Sequence, residues 1–185
     1  MEMNVNGNTL SLSVGDITKQ TTDAIVNAAN GTLLGGGGVD GAIHRAAGPE
    51  LLEECKAIRK EKLQGEELPT GDAVITKGYN LPAKYVIHTV GPVWRGGNQN
   101  EDNLLANCYK NSLKLAQEYN LTSIAFPSIS TGAYRFPVKR ASQVALTTII
   151  EFLQKHSFGT VNMTLFSQAD YETYAETLRQ LQQEM

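Results

Sequence analysis

Four consecutive glycines, Gly35 to Gly38, are the residues of this chain whose spacing speaks most directly of chemistry. Backbone without Cβ atoms can approach a ligand closely and turn its amides inward as an anion-binding nest. A helix beginning near Gly41 adds the positive end of its dipole at the same place. Polar side chains flank the run: Asn27-Ala-Ala-Asn30 precedes it, and Val39-Asp40-Gly-Ala-Ile-His44-Arg-Ala-Ala-Gly48 follows. A second loop, Pro127-Ser-Ile-Ser130-Thr131-Gly132-Ala133-Tyr134-Arg-Phe136-Pro137, repeats the arrangement, with small hydroxyl residues and a glycine ahead of a helix. One phosphate cradle is a weak signal. Two at the same edge of a sheet suggest a ligand with adjacent phosphates, as in a diphosphate.

Gly36, Gly38 and Gly41 formally satisfy GxGxxG, the dinucleotide-binding pattern. That motif needs its first glycine directly after a strand and an acidic residue about 20 positions on, at the end of the next strand. Here about nine residues separate Val26 from Gly36, and Glu61 lies inside the charged helical stretch Lys56 to Lys62. The dinucleotide reading therefore fails on both counts. No glycine-lysine-Ser/Thr sequence occurs, which also excludes a Walker A loop.

The elements that must position these loops read as strands alternating with helices, the pattern of an α/β domain with a largely parallel sheet. Strands are predicted over Leu10 to Val14, Ala24 to Val26, Ala73 to Thr76, Tyr85 to Thr89, Ser123 to Phe126 and Val161 to Phe166. Helices are predicted over Gly41 to Ala47, Pro49 to Lys62, Asp102 to Tyr119 and Val138 to His156. A last helix carries Tyr171, Tyr174, Leu178 and Leu181 at helical spacing. Helices on both sheet faces make a three-layer α/β/α sandwich around a central mixed, largely parallel sheet, and no linker divides residues 1–185 into more than one domain. Each unusual loop follows a strand and leads into a helix, which is the ligand-binding edge of an open α/β sheet.

Composition narrows the classes of function. A 41% hydrophobic content is globular rather than disordered, and 16 Lys+Arg against 19 Asp+Glu leaves a net charge of -3. With a pI near 5.6 and no basic cluster, sequence-independent nucleic-acid binding is not expected. Residues Met1 to Asn8 lack the features of a signal peptide, and no apolar run reaches membrane-spanning length. Cys55 and Cys108 have no metal-ligand spacing. The expectation is a cytoplasmic, reduced protein with no metal and no cofactor.

These motifs together resemble the macrodomain family, most closely its MacroD-type class, which binds ADP-ribose and removes it from modified proteins. The resemblance is carried by Gly15-Asp16-Ile17-Thr18, Ile25-Val26-Asn27-Ala28-Ala29-Asn30, Gly35 to His44, Gly91-Pro92-Val93-Trp94 and Pro127 to Tyr134, and it covers essentially the whole chain. It implies that Asp16 accepts a hydrogen bond from the adenine amino group and that the Ile17 backbone pairs with the ring. Gly36, Gly37, Gly38 and Val39 on one side, and Ser130, Thr131, Gly132, Ala133 and Tyr134 on the other, would wrap the diphosphate through backbone amides. Asn30, Asp40 and the Tyr134 ring would surround the distal ribose, with Asn30 and Asp40 catalytic. Gln168 to Tyr171 falls where the family closes the adenine pocket. Macrodomains that only read ADP-ribose often lack the acid after the glycine run, and the adjacent glutamates of a poly(ADP-ribose) glycohydrolase are missing here.

The resemblance thus implies a metal-independent hydrolase acting on mono-ADP-ribosylated Asp/Glu side chains of proteins and on O-acetyl-ADP-ribose. A non-catalytic module binding ADP-ribose, or a related nucleotide or RNA, is the alternative. Plainer roles compete at single residues. Asp40 is placed to N-cap the following helix, where the dipole would favour its anion and make it a positioner of water rather than a base. Asn30 can satisfy a turn. His44 reads as structural, one helical turn beyond Asp40. His88 reads as a satisfied core histidine, the cysteines as packing residues, Trp94 as a loop anchor, and the charges near residue 60 as a solvated helix face.

Overall fold

The computed structural model describes residues 1–185. Along the chain it runs β1 (Glu2–Val5), β2 (Asn8–Val14), a short 3-10 turn (Ile17–Lys19), β3 (Ala24–Ala29), α1 (Gly38–Ala47), α2 (Pro49–Glu61), β4 (Ala73–Lys77) and β5 (Tyr85–Val90). It continues through α3 (Glu101–Glu118), β6 (Ser123–Phe126), α4 (Val138–Lys155), β7 (Thr160–Leu165) and α5 (Gln168–Glu184). The strands form one seven-stranded sheet in the order β1-β2-β7-β6-β3-β5-β4. The central pairings are parallel, and the two edge strands, β1 and β4, run antiparallel to their neighbours.

Alternation along β3 sorts the side chains between two cores. Ala24 and Val26 face a large core closed by α3, α4 and α5, whereas Ile25 and Ala29 face a smaller one closed by α1 and α2. The three-layer expectation holds. Two boundaries at the site move, and one strand is added. The strand predicted as Ala24 to Val26 continues through Ala29, so Asn27 is a strand residue buried on the α1 side. The first helix starts at Gly38 rather than Gly41, with Gly37 as its N-cap, so Asp40 lies inside the first turn and is not the cap. Strand β1 has no counterpart in the predicted set. It exists because Asn6 and Gly7, both at positive φ, reverse the chain and let Met3 and Val5 point inward.

β3 and β6 lie side by side, but the chain leaves them in opposite directions. After β3 it proceeds through α1 and α2 toward β4 and β5, and after β6 it passes through α4 to β7. A crevice opens at such a switch point, beyond the carboxyl ends of the strands. Both unusual loops are therefore delivered to one place by topology.

Candidate active site

A cleft of about 340 Å³ occupies that switch point. One wall is Asn30, Gly36, Gly37, Gly38, Val39 and Asp40; the other is Gly91, Ser128, Ile129, Ser130, Gly132, Ala133 and Tyr134, with Ala28 and Ala29 below. The cleft brings together ten of the expected residues. Thr131, Asp16 and Ile17 do not line it. The Thr131 hydroxyl turns back to the Ser128 carbonyl at 3.1 Å.

The glycines are there for different reasons. Gly35 and Gly38 have φ of 87° and 56°, where a side chain is strained. Gly36 is needed for space, since a Cβ there would stand 3.3 Å from both Asn30 Nδ2 and Asp40 Oδ2. A Cβ at Gly37 would meet no protein atom within 4 Å. The N–H groups of Gly38, Val39 and Asp40 head α1 without backbone partners, as the first turn of a helix requires, and supply donors for an anion.

Asn30 organises this loop and also faces the cleft. Its Nδ2 donates to Gly35 O at 2.8 Å, and its Oδ1 accepts from Thr32 N at 3.0 Å and from the Thr32 hydroxyl. The second amide hydrogen of Asn30 is uncommitted. Asp40 is only 6% exposed. Its Oδ1 accepts from Asn27 Nδ2 at 2.9 Å and lies 3.4 Å from His44 Nε2, which leaves Oδ2 free toward Gly36. Burial pushes the Asp40 carboxyl above the usual carboxylate value, and the Asn27 hydrogen bond and the His44 charge reduce that rise without cancelling it. This corrects the expectation of a dipole-favoured anion. His44 lies in contact with Asp40, the neighbour that its place one helical turn on makes geometrically possible.

Behind Asp40 stands a row of buried polar groups, Asn27, His88 and Thr76. Asn27 Nδ2 also meets His88 Nδ1 at 3.1 Å, and His88 Nε2 meets Thr76 Oγ1 at 3.0 Å. A carboxylate only accepts, so the amide nitrogen must face Asp40 and spend its second hydrogen on His88 Nδ1. The His88 proton then sits on Nε2 and is donated to Thr76, whose own hydroxyl donates to Lys77 O at 3.1 Å. Burial first, and then the charge of His44, pushes the His88 imidazole down to about 3, so the relay is neutral at working pH. His88 is a satisfied core histidine, as expected, and it also orients Asn27. An asparagine inside a strand buried on both faces was the signal available in the sequence. Asn27→Ala is expected to release the Asp40 carboxylate from its orientation and lower kcat by at least about 10-fold, because misplacement by about 1 Å costs up to about 100-fold. Steady-state kinetics beside an ADP-ribose titration checks this, and the affinity is expected to stay constant.

The loop before α3 braces the second wall. Trp94 N donates to Tyr134 O at 2.8 Å, and the indole packs 4.8 Å from the Phe136 ring under the Arg140 guanidinium, so Trp94 is the loop anchor it was expected to be. Glu101 pins the same loop. Burial pushes its carboxyl up, but N–H bonds from Arg95, Gly97 and Gln99 outweigh burial and hold it at about 2.

Asp16 and Ile17 lie at the ends of β2 and β7, which Gly15 N ties together through Leu165 O at 3.0 Å. Asp16 caps the 3-10 turn: its Oδ1 accepts from Thr18 Oγ1 at 2.7 Å and Thr18 N at 2.9 Å, bonds that hold its carboxyl below the usual value. Ile17 is a core residue whose side chain is buried. Gln168 to Tyr171 forms the first turn of α5, capped by Ser167. Beside them Phe166 is 87% exposed, a large apolar ring left in solvent that the sequence reading had treated only as the end of a strand.

A cleft at the switch point of a mixed sheet, with a glycine loop and a hydroxyl-rich loop as walls, matches a known family. The chain belongs to the Macro domain family, whose model matches residues 26–145. It is similar to the Oceanobacillus iheyensis macrodomain solved with ADP, at 56% identity and a TM-score of 0.98, covering 100% of this chain and 97% of that one. The O-acetyl-ADP-ribose deacetylase of Escherichia coli (strain K12) is 59% identical over 143 residues, which are 77% of this chain and 79% of the relative. A Trypanosoma brucei macrodomain in complex with ADP-ribose shares 42% identity at a TM-score of 0.82, covering 91% of this chain and 68% of that one.

Proposed function

We propose that this macrodomain is a MacroD-type hydrolase that binds ADP-ribose, deacetylates O-acetyl-ADP-ribose and removes mono-ADP-ribose from Asp and Glu side chains of modified proteins. The observation that carries this reading is the pair of uncommitted polar atoms on either side of Gly36: Asp40 Oδ2, which can only accept, and the second hydrogen of Asn30 Nδ2. An acceptor facing a donor across a Cβ-free gap suits a water molecule and a ribose hydroxyl. The bond to be broken is an ester between a carboxylate and the distal ribose. As the water oxygen bonds to the ester carbon, Asp40 takes its proton, and the proton returns to the ribose oxygen as the ester C–O bond breaks. The raised carboxyl value of Asp40 brings its basicity nearer to working pH, which favours that transfer. Asn30 holds the ribose, and the bound diphosphate helps to fix the water.

The layout of the edge supports the rest of the ligand. The diphosphate lies between the Gly36 to Val39 and Ser130 to Tyr134 amides, and adenine reaches the ends of β2 and β7, where Asp16 Oδ2 is free to accept its amino group. Phe166 is exposed there and offers a face for stacking. Phe166→Ala is therefore expected to weaken ADP-ribose binding by roughly 5- to 150-fold, since base stacking contributes roughly 1–3 kcal/mol. Calorimetric titration measures it, and equal affinity would remove Phe166 from the site. The reading as a whole is tested by incubating the protein with glutamate-linked mono-ADP-ribosylated protein and, separately, with O-acetyl-ADP-ribose, and measuring free ADP-ribose. Tight binding with no release from either substrate would instead identify a reader.

A further inference from the structure

A second recess adjoins the glycine loop beside the cleft. It is a groove of about 430 Å³ lined by that loop, by α1 and by the start of α2, and Gly36 is the one residue that lines both it and the cleft. The loop can settle onto α1 because position 41 is glycine: a Cβ there would run into Gly36 O and stand 3.0 Å from Arg45 Nη1. His44 is the partition between groove and reaction gap. Its ring lies 3.6 Å from where a Cβ of Gly35 would be, and its Nε2 is 3.4 Å from Asp40 Oδ1.

Two side chains of the groove have no task in the fold. Leu34 is 47% exposed and belongs to neither core, although it is a large apolar residue. Arg45 is exposed on α1, and its guanidinium makes no ion pair and no hydrogen bond within the chain. No acidic side chain lines the groove; the glutamates of α2 do not reach into it. The recess therefore offers an apolar rim and one free cation, a combination that suits a chain carrying both aliphatic surface and a carboxylate.

The chemistry of the ester says what must lie there. The carbon attacked by water sits in the gap between Asp40 Oδ2 and Asn30, across Gly36, while the diphosphate and adenine extend the other way along the cleft. In O-acetyl-ADP-ribose that carbon bears only a methyl group. In a modified protein it is the carboxyl carbon of a short side chain, one methylene from Cα in aspartate and two in glutamate, so the main chain passes beside Gly36. We propose that the groove is the subsite for the modified protein itself: Leu34 packs against the polypeptide next to the acceptor residue, and Arg45 pairs with the carboxylate of a neighbouring Asp or Glu. This rests on the hydrolase reading above and deepens it, naming the protein substrates as segments in which acidic residues adjoin the acceptor.

The test compares O-acetyl-ADP-ribose with two peptides that carry ADP-ribose on a single glutamate, one with aspartates beside the acceptor and one with asparagines. Arg45→Gln is expected to lower kcat/KM about 5-fold on the aspartate peptide alone, the upper range for an exposed charge pair. Leu34→Ser is expected to lower it about 5-fold on both peptides. Both losses should appear in KM with kcat preserved, and turnover of O-acetyl-ADP-ribose should not change. Arg45→Glu is expected to reverse the preference, acting better on a peptide with lysines beside the acceptor than on the aspartate peptide. A rate on the aspartate peptide unchanged in either Arg45→Gln or Leu34→Ser, or an equal loss on O-acetyl-ADP-ribose, would overturn the assignment while hydrolysis by the wild-type protein stands. Failure of the wild-type protein to release ADP-ribose from either peptide would overturn it together with the reading as a hydrolase of modified proteins.

Discussion

Asp40→Asn is expected to slow hydrolysis by about 100-fold or more while raising the melting temperature at neutral pH. The two effects have one cause. Asp40 is held almost out of water, and the desolvation that lifts its carboxyl value also makes its anion costly to the folded state. Between the unfolded value of 3.8 and the higher folded value, the native protein binds more protons than the unfolded chain, so stability falls as pH rises through that window. The cost is fully present above the folded value and absent below 3.8. An amide at position 40 keeps an oxygen for Asn27 Nδ2 and carries no charge to desolvate. The stabilisation should therefore shrink as the solution is acidified, and thermal melts over a pH series follow it directly. In the wild-type protein the acidic limb of the proposed turnover is expected to lie above the ordinary carboxylate value. Normal turnover by a folded Asp40→Asn protein would remove Asp40 from the mechanism.

Gly36→Val is expected to lower kcat/KM by about 100-fold with little change in the melting temperature. Its first carbon would already stand 3.3 Å from Asn30 Nδ2 and Asp40 Oδ2, and the two methyl groups must push at least one of them away or fill the gap between them. Displacement by about 1 Å is enough for a loss of that size. The residue is exposed and in no core cluster, so the fold has no stake in it. Gly37→Ala is the internal control, because a Cβ there touches no protein atom. Equal activity in Gly36→Val and Gly37→Ala would show that the gap is not where the bond is broken.

How much of this was legible in the sequence depended on the range of the interaction involved. Apolar periodicity located six of the seven strands and all five helices, because burial on a sheet or a helix face leaves a period in the residue types. The missing strand, β1, has too few apolar residues to make a pattern, yet Asn6-Gly7 announced its hairpin and went unread. Both walls of the cleft were readable from glycines and small hydroxyl residues, whose value lies in the backbone they expose. The state of Asp40 was not. Its place at the head of a helix argued for an anion, but its protonation is decided by Asn27, by His44 and by the exclusion of water, which only the packed chain determines. The same holds for Asn27 and Phe166: one was hidden in a strand pattern, the other passed as the end of one. Asp16 and Ile17 belong to the adenine end by resemblance, and the fold sets them beside the cleft and not in its walls.

The two walls of the cleft are rooted in different interiors. The glycine loop passes into α1, whose Ile43 and Ala47 belong to the smaller core, whereas the serine loop is pinned by Tyr109 and Tyr174 from the larger one. Repacking either interior shifts one jaw and leaves the other in place. On the function proposed above, Asn30 and Asp40 move with the first jaw while the diphosphate is held by amides of both, so a mutation that shifts only the second jaw is expected to change anion affinity without displacing the groups at the bond to be broken.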